Sequence, residues 1–139
     1  MTTPRGIRNN NPGNLRHGDN WRGLAVEQTD DAFCQFVLPE YGIRALAKTL
    51  TTYQQKYGLN SIGDIIKRWA PSNENDTTAY IASVCHQTRR SANAPIDLSE
   101  YKAMRALLVA IITHENGEQP YSDKQIDDGL LLADIRKPA

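Results

Sequence analysis

The sequence predicts a mainly helical domain of the α+β class, with one small β-hairpin among its helices. Three observations carry this prediction. Apolar residues recur at helical spacing in four stretches between Pro39 and Ile112. Residues that start or stop helices stand at the ends of those stretches: Gly58, Ser61, Pro71, Asp76 and Gly117. One place alone, residues 23–37, reads as two short strands around a polar turn. At 139 residues the chain is expected to form a single domain over residues 1–139, large enough to bury a core without metal or disulfide staples.

The elements follow in order. Residues 5–16 are turn-rich, because Asn9-Asn10-Asn11 followed by Pro12-Gly13 suits neither a helix interior nor a central strand. Residues 23–27 and 32–37 read as strands around the turn Gln28-Thr29-Asp30-Asp31, framed by Phe33 and Phe36. Pro39-Glu40 opens a helix with Ile43, Leu46, Ala47, Leu50 and Tyr53 on one face, ended near Gly58. Asn60-Ser61 can cap a short helix carrying Ile62, Ile65, Ile66 and Trp69, which stops before Pro71. Asn75-Asp76 starts another, with Tyr80, Ile81 and Val84 together. After a polar linker over 89–97, the run from Leu98 through Tyr101, Met104, Leu107, Leu108, Ile111 and Ile112 makes a long helix ending at Glu115. Ser122 with Gln125 forms a capping box for a last helix through Leu132. No repeat or low-complexity tract interrupts this order.

Composition narrows the function. Sixteen basic and sixteen acidic residues give zero formal charge, which argues against a general pull toward nucleic acid or an anionic membrane. Arg5, Arg8, Arg16 and Arg22 make the N-terminal region locally basic, either as solvated surface or to meet an anionic polymer. No stretch is apolar enough to cross a bilayer, so no stable membrane insertion is expected, and no secretory signal is visible. Cys34 and Cys85 lack zinc-ligand or CxxC spacing, and His17, His86 and His114 are scattered, so no metal and no cofactor are implied. Adjacent helical side chains diverge, which makes Cys85-His86 a poor catalytic pair.

The chemistry concentrates where the apolar helix stops. Glu115 lies one turn beyond Ile111, just before the helix terminator Asn116-Gly117. Desolvation and the negative end of the helix dipole both disfavour the charged form of a carboxylate there, the condition a general acid needs. The plain alternative is an exposed Glu at a frayed helix end. Asn9, Asn10, Asn11 and Asn14 are either turn formers or amides suited to sugar hydroxyls and acetamido groups. Trp21, Tyr41, Trp69 and Tyr80 could stack on sugars, although a Trp at helical spacing such as Trp69 is more often core.

Several segments resemble lysozyme-like enzymes. Asn75-Asp76-Thr77-Thr78-Ala79-Tyr80-Ile81-Ala82-Ser83-Val84 is similar to the lytic transglycosylase segment whose Tyr lies beside the catalytic Glu. Asn14-Leu15-Arg16, then Trp21-Arg22-Gly23 and Phe33-x-x-Phe36, resembles the "Asn-Leu-Phe-Gly … Trp … Phe" stretch of bacterial glucosaminidases in that superfamily. Residues 5–16 together with Arg68-Trp69-Ala70-Pro71 resemble phage and prophage muramidases, a likeness that covers most of the chain. The order differs: the family's catalytic-Glu helix comes before the Asn-Leu and Tyr motifs. Here the helix that resembles it, Ile111-Ile112-Thr113-His114-Glu115-Asn116-Gly117, comes last. A circular permutation of motif order explains this, since domain termini tend to lie close together at the surface.

The resemblance implies a lysozyme-like helical domain that cleaves peptidoglycan between N-acetylmuramic acid and N-acetylglucosamine, with Glu115 as general acid. A second carboxylate would stand about 5 Å away in a retaining enzyme or roughly 6.5–9.5 Å away in an inverting one. Glu27 and Asp30 are the named candidates, with Asp31 and Asp19 beside them. Asn11, Asn14, Tyr80 and Trp21 are the expected substrate contacts, and His114 is given no role. A lytic transglycosylase, an N-acetylglucosaminidase and a non-catalytic phage structural or wall-binding protein are the alternatives. The expected partner is the glycan strand of bacterial peptidoglycan, bound by a monomer. The protein is expected to be made in the host cytoplasm and to reach the periplasmic wall after holin-type release or as part of a virion.

Overall fold

The computed structural model describes residues 2–139. Six helices form among them: α1 (Arg5–Arg8), α2 (Pro39–Tyr57), α3 (Ile62–Trp69), α4 (Thr77–Thr88), α5 (Tyr101–Asn116) and α6 (Asp123–Leu132). The protein is mainly α. Helix α5 lies at the centre, touching α1, α2 and α4, while α6 runs along α2 and α3 packs on α4.

The core follows from the periodic apolar faces. Met104, Leu107, Leu108, Ile111 and Ile112 of α5 are fully buried against Ile43, Leu46 and Leu50 of α2, Ile65 and Ile66 of α3, and Ile126 and Leu130 of α6. Each such side chain contributes about 1.5–3 kcal/mol of hydrophobic stabilisation, so this stripe holds the helix end of α5 in place. Glu115 therefore projects from a rigid support.

The helix boundaries are set by the residues that the spacing singles out. Ser61 Oγ accepts from Asp64 N at 3.2 Å, and the Asp76 carboxylate accepts from Ala79 N at 3.1 Å. The Ser122–Gln125 capping box is present on α6. Gly58 and Gly117 end α2 and α5 in the left-handed region, with φ of 67° and 74°. One boundary differs from expectation. Leu98 is buried but lies ahead of α5, because the Gln54 carboxamide binds Ile96 O and Leu98 N at 2.9 and 2.7 Å and holds that segment extended.

The predicted hairpin is reduced to isolated antiparallel bridges, Leu24 with Phe36 and Arg16 with Phe33. Side-chain amides take over the backbone groups that a ladder would use. Gln28 Nε2 donates to Gln35 O at 2.8 Å, and Gln28 Oε1 accepts from Gln35 N at 2.8 Å. Strand-like pairing then shifts to the N-terminal segment, where Cys34 N donates to Leu15 O and Phe36 N to Asn9 O, both at 2.9 Å. Cys34, Phe36 and Ala45 form a small second core beneath this loop layer, with Leu15, Trp21, Leu24 and Tyr41 packed against it.

Candidate active site

Four elements deliver one side chain each to a single point. Glu115 comes from the last turn of α5, Tyr80 from α4, Trp69 from the end of α3, and Asn14 from the N-terminal loop. The loop is fastened to α5 by Asn116, whose Nδ2 donates to Pro12 O at 2.8 Å and to Ile112 O at 2.9 Å. Asn14 adopts φ 52°, a left-handed conformation that Asn tolerates, and this turns its carboxamide toward the helix end.

A directed hydrogen-bond chain results. Trp69 Nε1 donates to the Tyr80 hydroxyl at 3.0 Å, and that hydroxyl donates to Glu115 Oε2 at 2.8 Å. Asn14 Nδ2 donates to Glu115 Oε1 at 3.0 Å. An indole N–H is only a donor, so the Tyr80 oxygen accepts from Trp69 and its proton is committed to Glu115. Burial, and then the charge of Glu115, hold the Tyr80 phenol well above the usual tyrosine range, so it remains a donor throughout the ordinary pH range. Oε2 thus accepts from Tyr80 and Oε1 from Asn14, which fixes the orientation of the carboxyl group. The carboxamide oxygens of Asn14 and Asn116 are both buried without a hydrogen-bond partner, and both crowd Gly6. A Cβ at Gly6 would stand 2.5 Å from the Asn116 oxygen and 2.8 Å from the Asn14 oxygen, so only glycine fits there.

Glu115 lines an open cleft of about 370 Å³, together with Gly13, Asn14, Arg16, Thr49, Trp69 and Glu74. Tyr53 and Thr49 continue from this cleft into an adjoining groove of about 570 Å³ walled by Asn20, Trp21, Tyr57 and Arg68. The surface around Glu115 is therefore elongated, a shape that suits a polymer.

The structure brings Glu115, Asn14 and Tyr80 together and puts Trp21 in the adjoining groove. The other predicted residues lie elsewhere. Asn11 is fully buried: its Nδ2 donates to Leu15 O and Cys34 O, and its Oδ1 accepts from Leu15 N, so it braces the loop and faces no cleft. Asp30 is corrected likewise. Arg5 donates to both of its oxygens, at 2.7 and 2.5 Å, while Asn9 Nδ2 and the backbone N–H groups of Ala32 and Phe33 donate at 2.9 Å. Those donors hold the Asp30 carboxyl far below the usual carboxylate range, and none is left for substrate chemistry. Glu27 is exposed and does not line the cleft. Asn9 and Asn10 serve the loop too, Asn9 through Asp30 and Asn10 through Phe36 O.

Three participants escape the sequence reading. Trp69, half-buried, carries the first hydrogen bond of the chain to Glu115. His114 stacks on the Tyr80 ring at a centroid distance of 3.7 Å, pinning the phenol from its outer side. Glu74, in the α3–α4 loop, is the one carboxylate other than Glu115 that lines the cleft among the described residues. A carboxylate in the loop before the Tyr80 helix is a visible signal, but its place on the Glu115 cleft depends on how α3 packs on α4 and α4 on α5.

Both cysteines are free, and burial pushes both thiols up, away from the thiolate a nucleophile needs. Among the described residues no group of three or more His, Cys, Asp or Glu is placed to hold a metal, and no helix is long and apolar enough to cross a membrane.

The chain is 43% identical over 130 residues to Protein P5 of Pseudoalteromonas phage PM2, a match that spans 91% of this chain and 79% of that protein. No family model matches the chain.

Proposed function

The chain belongs to the family of Protein P5 of Pseudoalteromonas phage PM2, and we propose that this member is a peptidoglycan-cleaving glycosidase, a phage muramidase of the lysozyme-like kind. The observation that carries the reading is Glu115 on an open cleft, its two oxygens held by Tyr80 and Asn14. These are the neighbours that the lysozyme-like resemblance assigns to a catalytic Glu, and they reach it despite the reordered motifs.

In this reading a glycan strand lies along the elongated cleft, with the bond between N-acetylmuramic acid and N-acetylglucosamine over Glu115. Tyr80 holds Oε2 and Asn14 holds Oε1, and Glu115 so oriented delivers its proton to the glycosidic oxygen as the C–O bond breaks. Glu74 replaces Glu27 and Asp30 as the second carboxylate, stabilising the developing oxocarbenium ion or activating water. That Glu115 pairs with no arginine and opens onto a cleft supports cleavage over a purely wall-binding role. The enzyme would meet peptidoglycan after holin-type release or from within a virion.

A lytic transglycosylase needs no second carboxylate, and the Glu74 carboxylate sits in an exposed loop with no ion pair among the described residues, which gives that reading one observation in its favour. Mass spectra of sacculi digested by the protein separate the outcomes. Reducing muramic ends are expected; anhydromuramic ends mean a transglycosylase, and no soluble muropeptide contradicts catalysis altogether.

A further inference from the structure

The groove that adjoins the cleft holds one carboxylate, Asp19, and a cation that is not paired with it. Arg68, on α3, has its guanidinium carbon 3.7 Å over the Tyr57 ring and 5.2 Å over the Tyr53 ring. No ion pair among the described residues involves it. Elsewhere in the chain Arg5 is tied to Asp30 and Arg105 to Asp123. Arg68 differs because it lies over two tyrosine rings and lines the open groove. A guanidinium over a ring uses its face for the ring and keeps its in-plane N–H donors for a planar anion. Trp21 and Asn20 line the same groove, offering an aromatic face and an amide for a sugar ring.

From this arrangement we propose that Arg68 is a carboxylate-binding subsite, which makes the groove selective for glycans that bear pendant carboxylates over neutral ones of the same backbone. The inference rests on the glycan-cleaving reading for its ligand class, since Thr49 and Tyr53 join this groove to the Glu115 cleft. Peptidoglycan carries such carboxylates on every muramic unit. They belong to the stem peptide when it is present and to the lactyl group once the peptide is removed. A chitin oligomer has the acetamido groups and the linkage but no carboxylate.

The test measures binding in the Glu115→Gln background, so that cleavage does not interfere. Three probes are compared: peptidoglycan strands with stem peptides, the same strands stripped by an amidase, and N-acetylglucosamine hexamer. Arg68→Ala should weaken binding of at least one peptidoglycan probe about tenfold or more, as expected for losing a charge-assisted pair, and leave the hexamer unchanged. Dependence confined to the first strand probe assigns the carboxylate to the peptide; dependence in the stripped strand assigns it to the lactyl group. Arg68→Lys, which keeps charge but not the planar fork, should restore only part of the loss. Equal weakening of all three probes, or of none, overturns the proposal. Arg68-dependent binding by a wild-type protein that cleaves nothing would sink the glycosidase reading and leave the subsite standing. Cleavage by a protein indifferent to Arg68→Ala would do the reverse.

Discussion

Asn14 and Glu115, 101 positions apart, are joined by a 3.0 Å hydrogen bond from the Asn14 amide to Glu115 Oε1. That contact ties the start of the chain to the end of its central helix. It exists because Gly6 leaves room for the Asn14 and Asn116 carboxamides at one spot. Gly6→Ala should therefore push the Asn14 loop off α5, costing about 1–3 kcal/mol in stability, the usual range for forcing an extra carbon into a packed site. Denaturant titration checks the stability, and wall clearing should fall with it. An unchanged midpoint and full clearing would show that the loop does not depend on this close approach.

Tyr80→Phe removes the donor to Glu115 Oε2 and leaves the Trp69 indole N–H without its acceptor. The expected loss is about 1–3 kcal/mol of stability. Clearing at neutral pH should drop by at least about tenfold, since one carboxylate oxygen loses its orientation. Retention of wild-type turnover by a folded Tyr80→Phe protein would mean that packing is the role of Tyr80.

Glu74 and Glu27 give opposite expectations. Glu74→Gln should lower turnover about a hundredfold if the second carboxylate acts in hydrolysis, whereas Glu27→Gln, exposed and away from the cleft, should stay within about twofold. Turnover measured on soluble muropeptides reads both. Reversal of that pattern would return the role to the loop carboxylate that sequence alone suggested.

Asp30 should govern acid stability instead of catalysis. Its folded carboxyl lies below the unfolded value near 3.9, because Arg5 and two backbone amides favour the charged form. The stability it confers is complete above that unfolded value and is lost as pH falls toward the lower folded one. Asp30→Asn should thus melt lower than wild type at pH 7, and the gap should narrow below about pH 4. A gap that is constant with pH would rule out this ionic origin.

The helices were legible because each carries its own punctuation. Ser61, Asp76, Ser122 and the terminating Gly58 and Gly117 act within one turn of where they stand, so sequence and structure agree there. The place of Glu115 in the last turn of α5 was legible for the same reason. Asn11 and Asp30 were misread because an Asn or Asp in a polar loop looks alike whether it braces backbone or faces solvent. Only the partners distinguish the cases, and Arg5 lies 25 residues from Asp30. The hairpin faded since the Gln28 side chain takes up both backbone groups of Gln35, and the Gln35 side chain accepts from Thr29 N, which no alternation pattern records. Trp69 did read correctly as packed, yet its indole N–H reaches Tyr80 through tertiary geometry.

The most direct measurement is the loss of turbidity of permeabilised Gram-negative cells, wild type against Glu115→Gln. The substitution keeps the acceptor for Tyr80 on a side chain of the same shape but removes the transferable proton. Clearing should fall by about 10²–10⁴-fold while the melting temperature stays close to wild type. Clearing at the wild-type rate by a folded Glu115→Gln protein would contradict Glu115 as the general acid.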